Sequence, residues 1–165
     1  MKATKTNTST NQSIAQVFTQ WMDEVNCDFN TAVSLTFEQA PRDSQHASSE
    51  FRYFLNKLND SCFGNNWSRR ANRNPANRLA VIPVIEDGFG RKRLHYHCVF
   101  AKPKYMSVRL FRLQIDLHWG ATKYGGSTRN DVQSLYDKFG FVDYMTKELK
   151  VMDFEKLDVS NLHIY

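Results

Sequence analysis

The chain has 165 residues, of which 41% are hydrophobic and 24% are charged, and its formal net charge is +5. This composition is typical of an ordinary globular domain, and no apolar run approaches the roughly 18 residues that cross a membrane. The basic balance favours polyanionic partners without identifying one. The three cysteines lie far apart in the sequence, which argues against a disulfide framework or a cysteine zinc site and predicts a reducing, cytoplasmic location.

The first 13 residues are rich in Ser, Thr, Asn and Gln and lack the apolar core of a signal peptide. They predict a disordered tail, followed by a single domain over residues 14–165. Hydrophobic periodicity predicts eight elements in the chain. In order they are helix 13–25, strand 31–38, helix 48–64, strand 78–86, strand 93–101, helix 104–120, strand 131–136 and helix 137–150.

This order of elements predicts an α+β fold, in which an antiparallel sheet of about four or five strands carries helices on one face. Pro83 indicates that strand 78–86 lies at an edge of the sheet or contains a bulge. The segment DGFGRK, residues 87–92, predicts the turn of a hairpin that joins this strand to the next one. The last fifteen residues show no pattern that assigns them to an element.

The segment HYH in strand 93–101 places two imidazoles where a packed core would disfavour them. Because side chains alternate along a strand, His95 and His97 share one face, while Tyr96 points to the opposite, apolar face. We expect the histidine face to be open to a ligand, since two imidazoles at this spacing can hold one metal ion. A pair of solvent-facing histidines is the alternative interpretation.

Glu86 ends the strand that precedes the histidine strand, so the predicted hairpin places its carboxylate near His95. Two imidazoles and one carboxylate form a mixed nitrogen and oxygen site with open coordination positions. Such a site suits Mn²⁺, Mg²⁺ or a similar ion that acts as a Lewis acid. A carboxylate at the entry of a turn, without a metal, is the alternative interpretation.

The predicted helix 137–150 carries a tyrosine at the border of its apolar stripe. This residue, Tyr144, has Lys147 as its i, i+3 neighbour on the same side of the helix. A tyrosine hydroxyl can act as a nucleophile when nearby cations stabilise its ionised form. A half-packed tyrosine beside a solvated lysine is the alternative interpretation.

The segment from Trp67 to Arg93 carries seven basic residues and two acidic ones. Its first part is an asparagine-rich predicted loop. Arginine pairs with phosphates, asparagine hydrogen-bonds to bases and tryptophan stacks on them, so the segment favours contact with nucleic acid over a merely solvated loop. The candidate contact residues are Trp67, Arg69, Arg70, Arg73, Arg91, Lys92 and Arg93.

Three short motifs together resemble the HUH endonucleases, specifically the single-tyrosine initiators of rolling-circle replication. SLTF, residues 34–37, looks like their first motif, HYH looks like the HUH motif, and YMTKE, residues 144–148, looks like the third motif. The motifs follow the family order and span about residues 31–150. The resemblance implies an HUH/RRM-like fold with the metal site on the sheet and the nucleophile on an adjacent helix.

The resemblance also implies a role for each residue of the site. His95 and His97 would be metal ligands, with Glu86 as the third, while Tyr144 would be the nucleophile and Lys147 would assist it. The metal would be Mn²⁺ or Mg²⁺. Some members carry a second tyrosine four residues from the first, but that position holds Gly140 or Glu148 here, so a reaction that needs two tyrosines is not expected.

The implied function is site-specific nicking and strand transfer on single-stranded or hairpin origin DNA, through a 5′-phosphotyrosine intermediate. It would start rolling-circle replication of a plasmid, a phage or a related mobile element. A separate helicase is expected, because the chain contains no GxxxxGK[ST] phosphate loop and should not hydrolyse ATP. A separate polymerase is expected to extend the free 3′-hydroxyl.

Three other interpretations remain at this point. One is a non-enzymatic nucleic-acid-binding regulator on a similar fold. Another is a relaxase or transposase of the same superfamily. The third is a metallonuclease that uses water in place of tyrosine.

Overall fold

A computed structural model describes residues 13–86, 94–147 and 156–165. The predicted α+β class and the predicted order of the main elements are confirmed. In chain order the elements are α1 Ile14–Glu24, β1 Thr31–Thr36, α2 Ser44–Phe63, α3 Trp67–Ala71, β2 Ala80–Glu86, β3 His95–Ala101, α4 Val108–Gly120, β4 Asp131–Ser134 and α5 Lys138–Thr146, with a 3-10 turn at Pro75–Asn77. The predicted tail, except Ser13, and the predicted hairpin turn lie outside the described residues. No helix in the described ranges is long and apolar enough to cross a membrane.

Helix ends differ from the prediction where a capping residue decides them. The helix α2 begins four residues before the predicted start, because the Asp43 side chain accepts a hydrogen bond from the backbone N–H of His46 at 2.9 Å. This caps one of the unpaired N–H groups of the first turn. The basic segment also contains the short helix α3 and the 3-10 turn, where a loop was predicted.

The four strands form one antiparallel sheet in the order β2-β3-β1-β4. The strand β2 lies at an edge, as Pro83 predicted, and the missing N–H of this proline therefore breaks no ladder hydrogen bond. Its pairing with β3 places Glu86 directly opposite His95. The two central strands, β3 and β1, pair Ser34 with His97.

Helices cover both faces of the sheet, so the prediction of helices on one face is wrong. One face packs against α2 and α4, through residues such as Phe51 and Trp119. The other face packs against α1 and α5, through residues such as Met22 and Val142. The sequence of β2 indicated this second layer, because a nearly continuous apolar run is typical of a strand covered on both sides. All seven residues of β2 are buried.

Tyr96 anchors the histidine strand to the α2 and α4 face. Its ring stacks on Phe51 with a centroid separation of 4.3 Å and an interplanar angle of 24°. Its hydroxyl donates a hydrogen bond to Asp158 Oδ2 at 2.8 Å, so the buried polar group is satisfied. The alternation of side chains therefore turns His95 and His97 toward the opposite face, as predicted.

Residues 156–165, which no pattern assigned, pair with the outer edge of β2. Val81 and His163 exchange two backbone hydrogen bonds of 2.8 and 3.0 Å, and the backbone N–H of Asp158 donates to the carbonyl oxygen of Pro83 at 3.1 Å. The Asp158 carboxylate also accepts hydrogen bonds from Ser48 and Asn161. The C-terminal segment thus satisfies an exposed strand edge, which would otherwise be open to pairing with another chain.

Candidate metal centre

Three side chains converge at the end of the β2–β3 hairpin. The Nε2 atoms of His95 and His97 lie 3.1 and 3.0 Å from the same carboxylate oxygen, Oε2 of Glu86. One ligand atom from each residue lies within 4.8 Å of the other two, so the cluster could hold a metal ion. Two imidazole nitrogens and one carboxylate oxygen suit divalent ions such as Mn²⁺. The sheet register that pairs Glu86 with His95 is the cause of this convergence.

The cluster lies in a buried environment, in contrast to the open histidine face that we expected. His97 is 2% exposed and Glu86 is 4% exposed, whereas the side chain of His95 is 20% exposed. The expectation is therefore wrong for His97. Its ring is covered by α5, since the ring of Tyr144 lies 4.8 Å from it, centroid to centroid. Access to the centre is from the side of His95.

The electrostatics of the cluster keep His97 and Glu86 in the states that bind metal. Burial lowers the pKa of His97 to about 4, and the charge of His95 acts in the same direction. Burial opposes the ionisation of Glu86, but hydrogen bonds from Lys147 and His97 outweigh it and lower the pKa of this carboxyl. A neutral imidazole and an ionised carboxylate are therefore present at neutral pH, as metal binding requires.

The end of α5 adds the two residues of the predicted tyrosine–lysine pair. Tyr144 is 47% exposed, and Lys147 Nζ lies 4.1 Å from the centroid of its ring. The same ammonium lies 3.0 Å from Glu86 Oε2. Lys147 therefore connects the tyrosine to the carboxylate of Glu86 in the candidate metal cluster. Residues 148–150, which the predicted helix included, lie outside the described residues.

The sequence did not identify Ser34 as a partner of the candidate metal cluster. Its hydroxyl lies 2.9 Å from Nδ1 of His97. The hydroxyl can donate to this nitrogen or accept from it, so it can hold the ring in place whether Nε2 carries a proton or a metal. The signal was the position of Ser34 within SLTF, but its contact with His97 depends on the pairing of β1 with β3.

The predicted nucleic-acid residues do not all lie at this centre. Arg69, Arg70 and Arg73 are exposed in and after α3, at the end of β2 that is remote from Glu86. The seven residues of β2 separate these two ends by about 20 Å. Trp67 is half-buried and packs against the guanidinium of Arg78, 5.8 Å from its ring centroid. The other three predicted contact residues, Arg91, Lys92 and Arg93, lie outside the described residues.

Comparisons of the chain with protein-family models, with curated proteins and with solved structures find no match. The function is therefore inferred from the geometry of the site. That geometry combines a buried two-histidine, one-carboxylate cluster with a half-exposed tyrosine and a lysine that contacts both.

Proposed function

We propose that this protein is a metal-dependent nickase and strand-transferase of single-stranded or hairpin DNA, with Tyr144 as its nucleophile. The observation that carries the proposal is the approach of Tyr144 and Lys147 to the cluster of Glu86, His95 and His97. The motif order that resembles the HUH endonucleases supports it. The initiation of rolling-circle replication of a mobile element is the biological role that we favour.

The metal centre would bind the scissile phosphate. His95, His97 and Glu86 would hold Mn²⁺ or Mg²⁺, which supplies Lewis-acid polarisation of the phosphate oxygens and offsets the charge that develops during the reaction. Ser34 holds the imidazole of His97 in its orientation through Nδ1. Because His95 is the most exposed of the three ligands, the phosphate would approach from its side.

Tyr144 would perform the transfer. Its Oη forms a bond to phosphorus as the bond to the 3′ oxygen of the upstream nucleotide breaks. The phenolic proton leaves to solvent, which reaches this half-exposed side chain, and the departing 3′ oxygen takes up a proton. The products are a 5′-phosphotyrosyl link and a free 3′ hydroxyl, so one phosphodiester replaces another and no nucleotide cofactor is consumed.

Lys147 would stabilise the ionised tyrosine. Its ammonium lies over the ring of Tyr144 and close to the carboxylate of Glu86, and a cation in such a position favours the anionic form of a neighbouring group. A metal held by Glu86 would weaken the attraction between that carboxylate and the ammonium, which would then interact more strongly with the phenolate and the phosphate.

Arg69, Arg70 and Arg73 would contact the DNA backbone at a distance from the nick. The strand β2, which lies between them and Glu86 in the chain, is about 20 Å long, the length of about six base pairs of duplex. The basic surface is therefore suited to a flanking stem or arm and not to the scissile phosphate itself.

A covalent adduct assay tests the proposal. The full chain is incubated with a pool of single-stranded and hairpin oligonucleotides and Mn²⁺, and the products are separated on a denaturing gel. We expect a DNA-linked protein band that requires metal and disappears in Tyr144→Phe.

Tyr53→Phe is the matched control for this assay. Tyr53 is 48% exposed on α2 and also has a lysine over its ring, with Lys57 Nζ 5.7 Å from the centroid. We expect this variant to form the adduct as the wild type does. Cleavage that persists in Tyr144→Phe would show a water nucleophile, and metal-independent binding without cleavage across the pool would show a non-enzymatic regulator.

A further inference from the structure

An open cleft adjoins the candidate metal centre between α5 and the β1–β4 half of the sheet. Its volume is about 440 Å³, within the range of roughly 300–1,000 Å³ that is typical of small-ligand pockets. Ala32 and Ser34 of β1 form its floor, and Tyr144 lines it at the side of the metal centre. The cleft and the proposed nucleophile are therefore contiguous.

The packing of α5 creates this cleft. Val142 and Met145 pack in the same apolar cluster as Ile82 of β2 and Val99 of β3. The helix therefore covers the β2–β3 half of this face of the sheet. The β1–β4 half remains uncovered beside it. Register places Asp131 opposite Ser34 and Gln133 opposite Ala32, which directs these side chains to the same face as His97.

The chemistry of the lining favours a nucleobase over a phosphate. Phe141 and Tyr136 contribute aromatic rings, and Tyr136 is 88% exposed. None of the described residues that line the cleft carries a positive charge, and two of them, Asp131 and Asp137, are acidic. Carboxylates repel phosphate but accept hydrogen bonds from the amino and imino groups of bases, while aromatic rings stack on the base plane.

The two carboxylates differ in their availability. Asp137 caps α5, with its Oδ1 accepting a hydrogen bond from the backbone N–H of Gly140 at 2.8 Å. Asp131 is exposed, and its carboxylate makes no hydrogen bond or ion pair within the described ranges. Asp131 is therefore the group that is free to accept hydrogen bonds from a ligand.

We propose that this cleft binds one unpaired base of the nucleotide next to the scissile phosphate, and that Asp131 selects it. The proposal rests on the nickase function, because Tyr144 is a shared wall of the cleft and of the metal centre. Guanine is the base that fits best, since its two neighbouring N–H donors match the two oxygens of one carboxylate. Thymine, which lacks an amino group, fits least well.

Two measurements on the full chain test the proposal. The first is adduct yield with Mn²⁺ on oligonucleotides that carry each of the four bases at each position flanking the nick. We expect the wild type to prefer guanine over thymine by about tenfold at one position, the size of discrimination that a paired hydrogen-bond contact supplies. We expect Asp131→Asn to lose that preference at that position alone.

The second measurement is binding of the same oligonucleotides to Tyr144→Phe, with and without Asp131→Asn. The base preference should appear in binding and disappear in the double variant. Asp143→Asn is the charge-matched control, because Asp143 is exposed on α5 but does not line the cleft. This control should retain the wild-type preference in both measurements.

The outcomes separate the cleft from the nickase. An adduct with the same base profile in the wild type and in Asp131→Asn overturns the cleft assignment and leaves the nickase intact. An Asp131-dependent base preference in binding without any adduct supports the cleft as a base-binding site and overturns the nickase. The absence of both an adduct and a base preference overturns both proposals.

Discussion

The two faces of the sheet carry different properties although the same strands build them. The face toward α2 and α4 is filled by large buried side chains, among them Phe51, Tyr96 and Trp119. The face toward α1 and α5 is apolar along most of β2, but it ends in Glu86, His95 and His97. In β3, Tyr96 therefore packs in the core while His95 and His97 form the candidate metal centre, because side chains alternate in direction along a strand.

A buried polar cluster is tolerated on the α1 and α5 face because its charged groups have partners. A buried carboxylate and buried imidazoles cost free energy unless each has a partner. Here the carboxylate of Glu86 is shared among two imidazoles and one ammonium. The cost is offset on the other face, where Tyr96 stacks on Phe51 and bonds to Asp158. We therefore expect changes on the α2 and α4 face to alter stability and to leave metal affinity largely intact, and changes at the metal cluster to do the reverse.

The largest expected effect is on stability, from the α2 and α4 face. Phe51 is fully buried, so Phe51→Ala should lower the free energy of unfolding by about 3–5 kcal/mol in urea titrations. The exposed Phe139 is the matched control, and Phe139→Ala should change the free energy of unfolding by less than about 0.5 kcal/mol. Mn²⁺ affinity of folded Phe51→Ala should stay close to that of the wild type. A parallel loss of affinity would show that the two faces are not separable.

The second effect is a pH dependence of stability from His97. The pKa of His97 is about 4 in the folded chain, whereas its ordinary value is 6.5. Between pH 4 and pH 6.5 the unfolded state therefore binds more protons than the folded state. The stability that comes from the neutral imidazole is therefore present above pH 6.5 and is lost as the pH falls toward 4. We expect a loss of about 2–3 kcal/mol.

Urea titrations with a chelator present measure this pH dependence in the wild type and in His97→Gln. The variant removes the titrating group, so its free energy of unfolding should fall less over the same pH interval. Equal slopes for the two proteins would mean that His97 does not titrate as its burial requires.

The third effect is on metal affinity. Replacement of both histidines, His95→Ala with His97→Ala, should weaken Mn²⁺ binding by more than about 100-fold, since even residues that only support a ligand contribute 10–100-fold. Isothermal titration calorimetry measures the Mn²⁺ affinity of each protein. His46→Ala is the control, because His46 is exposed on α2 and pairs with Asp43. An unchanged affinity in the double variant would rule out the proposed centre.

The smallest effect should come from Ser34. Loss of its hydroxyl in Ser34→Ala removes the partner of His97 Nδ1 and should weaken Mn²⁺ binding by about tenfold. Adduct formation should recover at saturating Mn²⁺, and Ser34→Thr, which keeps a hydroxyl, should restore affinity. A defect that persists at saturating metal would indicate that Ser34 does more than orient the ring.

Local patterns in the sequence determined the parts of the site that depend on one element or one hairpin. The period of two separated Tyr96 from its neighbouring histidines, and the hairpin placed Glu86 beside His95. The helical spacing placed Lys147 beside Tyr144. These relations were predictable because strand and helix geometry fixes the direction of each side chain over a few residues.

Tertiary structure decided the features that join distant parts of the chain. The contact of Ser34 with His97, the cover of α5 over the histidine face and the docking of residues 156–165 on β2 all require the pairing or packing of separate elements. Strand order and helix placement depend on the summed burial of many side chains, and no local pattern encodes that sum. For the same reason the sequence could name Arg69, Arg70 and Arg73 as candidate nucleic-acid contacts but could not say where they lie relative to the metal cluster; the structure places them at the Ala80 end of β2, remote from Glu86.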